Sequence, residues 1–449
     1  MTTHPWVDPE AVLAAVAATH DRVFWLDGGG ARPWSGRYSY LGWLEPGEPS
    51  LTYDATTRAV TEHDGRSERV VGDDIFAVLD QRTGGTEMAT THHPGPAEGE
   101  LCPSRSGFGG FSGWVGYFGY AARVGLPARV DPDGPPDAMW MRVARHAVFD
   151  HRDRTVRLHG IHTLPRAAPP REVRPRGPTP EAPSYEGYRD AFDRVQRQLR
   201  AGNSYETNLT YRVRVAGDAD PVAVYRRLRR LNRAPYAAYL QHPGVTVLSS
   251  SPERFATLGR DRVLETRPIK GTTARSADPA EDERLRDRLR TDPRYRAENL
   301  MIVDLLRNDL STVCEVGTVE VPGLMQVESY PSVHQLVTTV RGRLRAGVSG
   351  VRAVEALFPG GSMTGAPKLR TMEIIRDVED SARGVYSGAL GWVGDDGRAD
   401  LGIVIRTLVR RGPAYSLGTG GGITVRSDPE SEYAETRWKA ERLLRALLG

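Results

Sequence analysis

One pattern constrains this chain more than any other: short β-forming runs set between helix-period segments through its second half. After residue 240 the β runs fall at 245–249, 262–265, 318–321, 388–393, 401–409 and 414–417. Helical segments fall near 280–290, 295–308, 351–357, 367–379 and 429–447. This alternation reads as a mixed α and β domain with substantial antiparallel sheet. Ahead of it, a helix over 8–20 carries Ala11, Val12, Ala15 and Val16 on one face. Strand-like runs follow at Val23-Phe24-Trp25-Leu26, Tyr38-Ser39-Tyr40-Leu41 and Ala147-Val148-Phe149. Residues 109–120 alternate glycines with aromatics, which calls for closely packed backbone in a strand or a tightly packed helix. Residues 84–107 read as a mobile loop, and the Pro/Arg-rich stretch 164–184 as a linker. A helix over 185–201 then presents Phe192, Val195 and Leu199, with Gly202 as its stop. The expected division is an N-terminal domain over 1–163, the linker, and a C-terminal domain over 185–449.

Composition removes several classes. A net charge of +3 gives no field for nucleic acid. The arginines at 226, 227, 229, 230 and 233 read as the solvated face of a helix. Apolar runs fall far short of the roughly 18 residues of a membrane span. The N-terminus shows no basic region ahead of an apolar core, so a cytoplasmic location is expected. Cys102 and Cys314 are too few for a disulfide framework and too isolated for a zinc site.

The chemistry is marked by lysine. Of 60 Lys+Arg positions only Lys270, Lys368 and Lys439 are lysine. An ammonium can lose its proton and attack carbon, whereas a guanidinium cannot. Lys270 stands in Pro268-Ile269-Lys270-Gly271, where Gly271 permits a backbone that leaves the side chain projecting. To act as a nucleophile its pKa must fall from about 10.4 towards roughly 7–8. Burial or a nearby positive charge such as Arg267 would do that. Glu298 lies in an otherwise apolar helical stretch, on its exposed side or against a partner or metal. Glu435 and Lys439 have the i,i+4 order of a surface pair, on a helix capped by Asp428 with Pro429 in its first turn. Gly418-Thr419-Gly420-Gly421-Gly422 fits an anion nest or a plain hairpin turn. Residues 360–368 mimic a phosphate loop but lack its lysine position, and Pro367 instead opens a helix whose free N–H groups suit an anion. Together these groups describe a site for a small polyanion, with two carboxylates suited to Mg²⁺.

Ordered motifs along nearly the whole chain resemble the chorismate-utilising enzymes of the anthranilate and aminodeoxychorismate synthase component I family. They are Gly36–Gly42, Gly113–Tyr120, Ser251–Phe255, Arg267–Thr272, Glu298–Leu310, Gly361–Lys368, Arg383–Gly388, Ile405-Arg406-Thr407 and Glu435–Lys439. The resemblance implies an α+β fold, with large antiparallel sheets in a sandwich and helices packed outside. Aminodeoxychorismate synthases typically carry Lys at the 270 position and anthranilate synthases Ala, so Lys270 is of the first type. The implied reaction has Mg²⁺-bound chorismate held through Glu298 and Glu435. Lys270 adds at ring C2 as the C4 hydroxyl leaves, and ammonia then adds at C4 and expels the lysine. A covalent block at C2 directs the incoming nucleophile to C4. Glu253 matches the general acid/base and His334 a residue by the leaving hydroxyl. Thr272, Thr364, Gly365, Tyr386, Arg406, Gly420, Gly421, Gly422 and Lys439 match the substrate-binding positions.

Two positions depart from the family pattern. Glu206 stands where these aminating enzymes often have Gln and isochorismate synthases a water-activating Lys. Pro235 and Tyr236 match half of a tryptophan pocket, while Leu26-Asp27-Gly28-Gly29-Gly30 replaces its serine. The resemblance implies ammonia from a glutamine amidotransferase and a separate lyase downstream; neither cysteine here sits in a glycine-flanked nucleophile elbow, so the amidotransferase is expected as a separate partner. The competing expectations are anthranilate synthesis and a non-catalytic binding protein on the same fold.

Overall fold

The structure is a computed structural model, and it describes residues 3–28, 36–84, 111–166, 179–330 and 333–449. The expected loop at 84–107 and its Cys102 fall outside the described residues except at Gly84, as does the middle of the 164–184 linker.

Among the described residues five helices begin with the same dipeptide. Asp8-Pro9, Asp220-Pro221, Asp278-Pro279, Asp292-Pro293 and Asp428-Pro429 each put an aspartate at the N-cap, where its carboxylate accepts a backbone N–H, and a proline in the first turn. Proline's missing donor is one the helix start cannot use, and its fixed φ suits the turn. The long helices Pro293–Ser311 and Pro429–Leu448 therefore start at defined points, and both present residues to one cavity.

Among the described residues the strands form an eleven-stranded and a twelve-stranded sheet, antiparallel at every pairing along the two paths. Side-chain alternation shows how they stack. In Val23–Asp27, Val23 and Trp25 enter a core shared with the helices Pro9–Ala17, Tyr185–Arg200, Pro221–Leu231 and Pro429–Leu448. Phe24 and Leu26 enter a second core, where they meet Val115, Tyr117, Met139 and Met141 from the other sheet. In Gly113–Phe118, Trp114 and Phe118 turn the opposite way, onto Ile75–Arg82, Pro293–Ser311 and Gly350–Leu357. The result is a β-sandwich with helices on both outer faces, an α+β fold. Strands buried on both faces read as continuous apolar runs. The Gly113–Tyr120 stretch is a strand rather than a helix over Gly113–Phe118. A Cβ on Gly116 would lie 1.9 Å from the Met139 carbonyl oxygen, so the close backbone approach requires glycine.

Both sheets draw strands from both sides of the 164–184 segment. Val23–Asp27 pairs with Tyr236–His242, and Gly113–Phe118 pairs with Ala389–Gly394. Neither sheet breaks at the boundary expected from composition.

Candidate active site

Two crossings between the sheets frame the site. Val245–Ser251 belongs to the eleven-stranded sheet and Arg254–Leu258 to the twelve-stranded one, with Pro252 and Glu253 between them. Ala399–Ile403 and Thr407–Arg411 make the reverse crossing through Val404, Ile405 and Arg406. The crossings lie side by side: Ile403 N–H donates to the Glu253 carbonyl at 3.0 Å, and Ser250 N–H to the Arg406 carbonyl at 3.1 Å. The 401–409 run, expected as one strand, is thus two strands of different sheets. Arg406 breaks it at φ +51°, a region non-glycine residues rarely occupy, while its apolar neighbours keep the run looking continuous.

A cavity of ≈ 450 Å³ opens at these crossings. It is lined by Glu253, Lys270, Thr272, Glu298, Tyr386, Arg406, Gly420, Gly421, Gly422, Glu435 and Lys439, all of them expected site residues. The glycine segment is neither a nest nor a hairpin turn. It is the end of the strand Ala414–Ile423, paired through Gly418–Gly422 with Arg212–Asn208. A Cβ on Gly421 would lie 3.1 Å from the Glu432 carboxylate, and one on Gly422 would lie 2.2 Å from Glu206 Oε1, so the glycines leave room for acidic side chains against the strand.

Other expected residues lie elsewhere. His334 does not line the cavity: along Val333–Arg343 the side chains alternate, and Gln335 faces it instead. The His334 ring lies against Ser329 at 2.7 Å and Asp282 at 3.1 Å. Thr364 is buried, donating to the carbonyls of Gly360 and Gly361, and Gly365 pairs with Thr207. Tyr236 is buried and accepts from Arg254 Nε at 2.8 Å. Pro235 is buried beside it. Asp27, in the Leu26–Gly30 stretch that lacks the expected serine, accepts from Arg229 Nε at 2.6 Å. Lys368 bonds Asp309 at 2.6 Å and the Leu357 carbonyl at 2.9 Å, a packing role away from the cavity.

The electrostatics revise one expectation. Arg267 is paired with Glu328 and does not depress Lys270. Lys270 Nζ donates to Glu206 Oε1. Burial pushes the Lys270 pKa down, but Glu206, with Glu298 and Glu253 nearby, outweighs it and holds the ammonium above its ordinary value. In this state Lys270 is a charged member of an ion pair. Glu253 is 6% exposed, and burial raises its carboxyl to about 7 against a 2.9 Å hydrogen bond from Ser362. That is the protonation range of a general acid. Arg406 has no carboxylate partner among the described residues, and burial, with Arg442 adding, lowers it to about 10. A half-buried guanidinium facing a cavity in this state is ready for an anionic group. Lys439 pairs with Glu435 at 2.7 Å and donates to the Gly420 carbonyl at 2.9 Å.

Three groups not singled out in the sequence complete the acidic wall. Arg294 donates to Glu298 at 3.0 Å and to Glu432 at 2.9 Å, and Glu432 is buried. Tyr295 lines the cavity beside them. Arg294 and Glu298 have i,i+4 spacing, a signal open to reading from sequence alone. Glu298 and Glu435 supply hard oxygen donors to one cavity, and burial raises Glu298, as expected for a carboxylate short of a full counter-charge. Two protein carboxylates with the rest of the shell from substrate and water fit Mg²⁺.

A family model described as chorismate binding enzyme matches residues 42–445. The chain belongs to that family. This chorismate binding enzyme is 41% identical to an aminodeoxychorismate synthase of Streptomyces pristinaespiralis, over 98% of the chain and 64% of the relative. It is 46% identical to an anthranilate synthase component 1 of Haloarcula marismortui, over 58% of the chain and 53% of that protein. The chain spans under two thirds of either relative's length. In fold it is similar to anthranilate synthase component I from Streptococcus pneumoniae, with a TM-score of 0.74 at 24% identity, covering 91% of this chain and 92% of that one. No helix among the described residues is long and apolar enough to cross a membrane.

Proposed function

We propose that this chorismate binding enzyme aminates chorismate at C4 to give 4-amino-4-deoxychorismate. The observation that carries the reading is Lys270, one of three lysines in the chain, lining the same cavity as a carboxyl held near neutrality. Arg406, the glycine strand and Lys439 hold the substrate carboxylates. Glu298 and Glu435 would hold Mg²⁺, which when bound supplies positive charge against the substrate's anionic groups. The Lys270 amine adds at C2, and the C4 hydroxyl departs as water with a proton from Glu253. Ammonia then adds at C4, and the C2–N bond to lysine breaks with its electron pair returning to Nζ. The product ammonium gives a proton back to Glu253, so the cycle consumes chorismate and ammonia and yields aminated product and water.

The ammonia comes from a glutamine amidotransferase outside residues 1–449. Cys314 is buried, and burial raises its thiol to about 11, unsuited to a nucleophile. Turnover of glutamine by the chain alone would refute this, and free ammonium should replace the partner in vitro. The second reading is amination at C2 with loss of pyruvate, favoured by the 46% identity to an anthranilate synthase component 1. Incubation with chorismate, Mg²⁺ and ammonium separates them. Fluorescent anthranilate and pyruvate would establish the second reading, and a product that requires a separate lyase to become 4-aminobenzoate supports the first.

A further inference from the structure

Glu206 opens the strand Glu206–Ala216 and is 1% exposed, directly behind Lys270. Its Oε1 accepts from the Lys270 ammonium, and its Oε2 is buried without a partner. A Cβ on Gly422 would lie 2.2 Å from that Oε1 and 3.3 Å from Lys270 Nζ, so only a glycine strand lets the pair sit there. An ionised carboxylate has room for about four hydrogen bonds. This one has a single donor, and that donor carries the proton which must leave before Lys270 can attack.

The other nearby carboxyls have different work. Glu253 accepts from Ser362 and must hold a proton for the departing hydroxyl. Glu298 accepts from Arg294 and, in the reading above, would hold the cation. Two charges buried together cost more desolvation than the neutral amine and acid they become when the proton crosses. Filling the cavity with substrate expels water, which raises the desolvation cost of the charged pair, and the hydrogen bond along which the proton would cross is already in place.

We propose that Glu206 is the base that takes a proton from the Lys270 ammonium, leaving a neutral amine to attack C2; this rests on the lysine-adduct reading above. Lys270–NH₃⁺ and Glu206–COO⁻ become Lys270–NH₂ and Glu206–COOH, with no outside acceptor needed. When ammonia expels the lysine, the released amine recovers that proton. Enzymes with Gln at this position must move the lysine proton by another route; here the carboxylate is already on the atom.

The test uses the full chain with chorismate and Mg²⁺ but no ammonia, quenched at intervals for intact-protein mass spectrometry. Substrate binding is followed in parallel through the fluorescence of Trp438, which lines the cavity. Glu206→Gln keeps a hydrogen-bonding group but cannot take the proton. It should bind chorismate as the wild type does and form the Lys270 adduct about a hundredfold more slowly. Adduct formation at the wild-type rate would overturn the assignment while leaving the lysine reading intact. Ammonium-dependent turnover by a wild type that never shows an adduct would overturn the lysine reading, and this one with it. If Glu206→Gln binds chorismate more weakly, the rates are compared at saturating chorismate. Adduct formation still slowed there supports the base, and formation at the wild-type rate removes it.

Discussion

Lys270→Met offers a measurement of stability rather than activity. Methionine keeps much of the apolar stem and removes the ammonium, so little cavity forms. Glu206, 1% exposed and with Oε2 already unpartnered, then loses its one hydrogen-bond donor. Left charged and unpaired, such a group costs about 3–5 kcal/mol. The alternative is to take up a proton, at about 1.36 kcal/mol for each pH unit above an unfolded carboxyl value of about 4.3. That is about 3.7 kcal/mol at pH 7 and about 1 kcal/mol at pH 5. The folded variant then holds a proton that its unfolded chain does not, so its stability falls as pH rises. The wild-type pair behaves differently. Lys270 is held above its ordinary value, so its contribution is fully present below about 10.4 and is lost only at higher pH. Urea denaturation of both proteins at pH 5, 6, 7 and 8 should show a difference growing from about 1 to about 3–4 kcal/mol. The double variant Lys270→Met/Glu206→Gln should remove most of that pH dependence. An equal loss at pH 5 and pH 8, or a double variant no more stable than the single one at pH 8, would refute the reasoning.

Arg406→Leu should raise the KM for chorismate by about ten- to a hundredfold, the loss of one charge-assisted contact of about 1.5–3 kcal/mol, with the fold unchanged by circular dichroism; an unchanged KM would remove Arg406 from the binding site. With Glu253 protonated below about 7, the rate of lysine-adduct formation should fall above that pH, and Glu253→Gln should lose that limb together with about 10²–10⁴ in rate. Gly422→Ala adds a Cβ 2.2 Å from Glu206 Oε1, so it should push Glu206 off Lys270 and slow adduct formation while the protein still folds; adduct formation at the wild-type rate would show that the pair does not depend on that glycine.

Much of the site was legible because its residue types are costly elsewhere. A lysine in an arginine-rich chain pointed to Lys270, and a carboxylate in an apolar helix pointed to Glu298. Backbone detail was less legible. Gly418–Gly422 has turn composition but lies in a strand, held by pairing with Asn208–Arg212 that no local signal encodes. His334 has the right chemistry and faces away from the cavity, because strand alternation fixes one face and the register is set by tertiary pairing. The strands over Ser50–Gly72 and the helix Ile75–Arg82 escaped because they are short, and the outermost strand, Glu68–Gly72, is largely exposed. The Asp-Pro signals at 8, 220, 278 and 292 were present in the sequence and mark helix starts as firmly as the one at 428.

The interleaved sheets have a consequence for biosynthesis. In the eleven-stranded sheet, Thr407–Arg411 and Ala414–Ile423 lie between Val245–Ser251 and Glu206–Ala216. On the ribosome, both flanking strands emerge well before the pair that joins them. Until then each has an open edge, a template for pairing with another nascent chain. Arg406, the glycine strand, Glu435 and Lys439 arrive with or after that closing pair. A polypeptide truncated before residue 407 would therefore lack the glycine strand, Glu435 and Lys439 and be prone to aggregate, and the full chain closes the wall of its cavity and gains its protection from self-association in the same late step of synthesis.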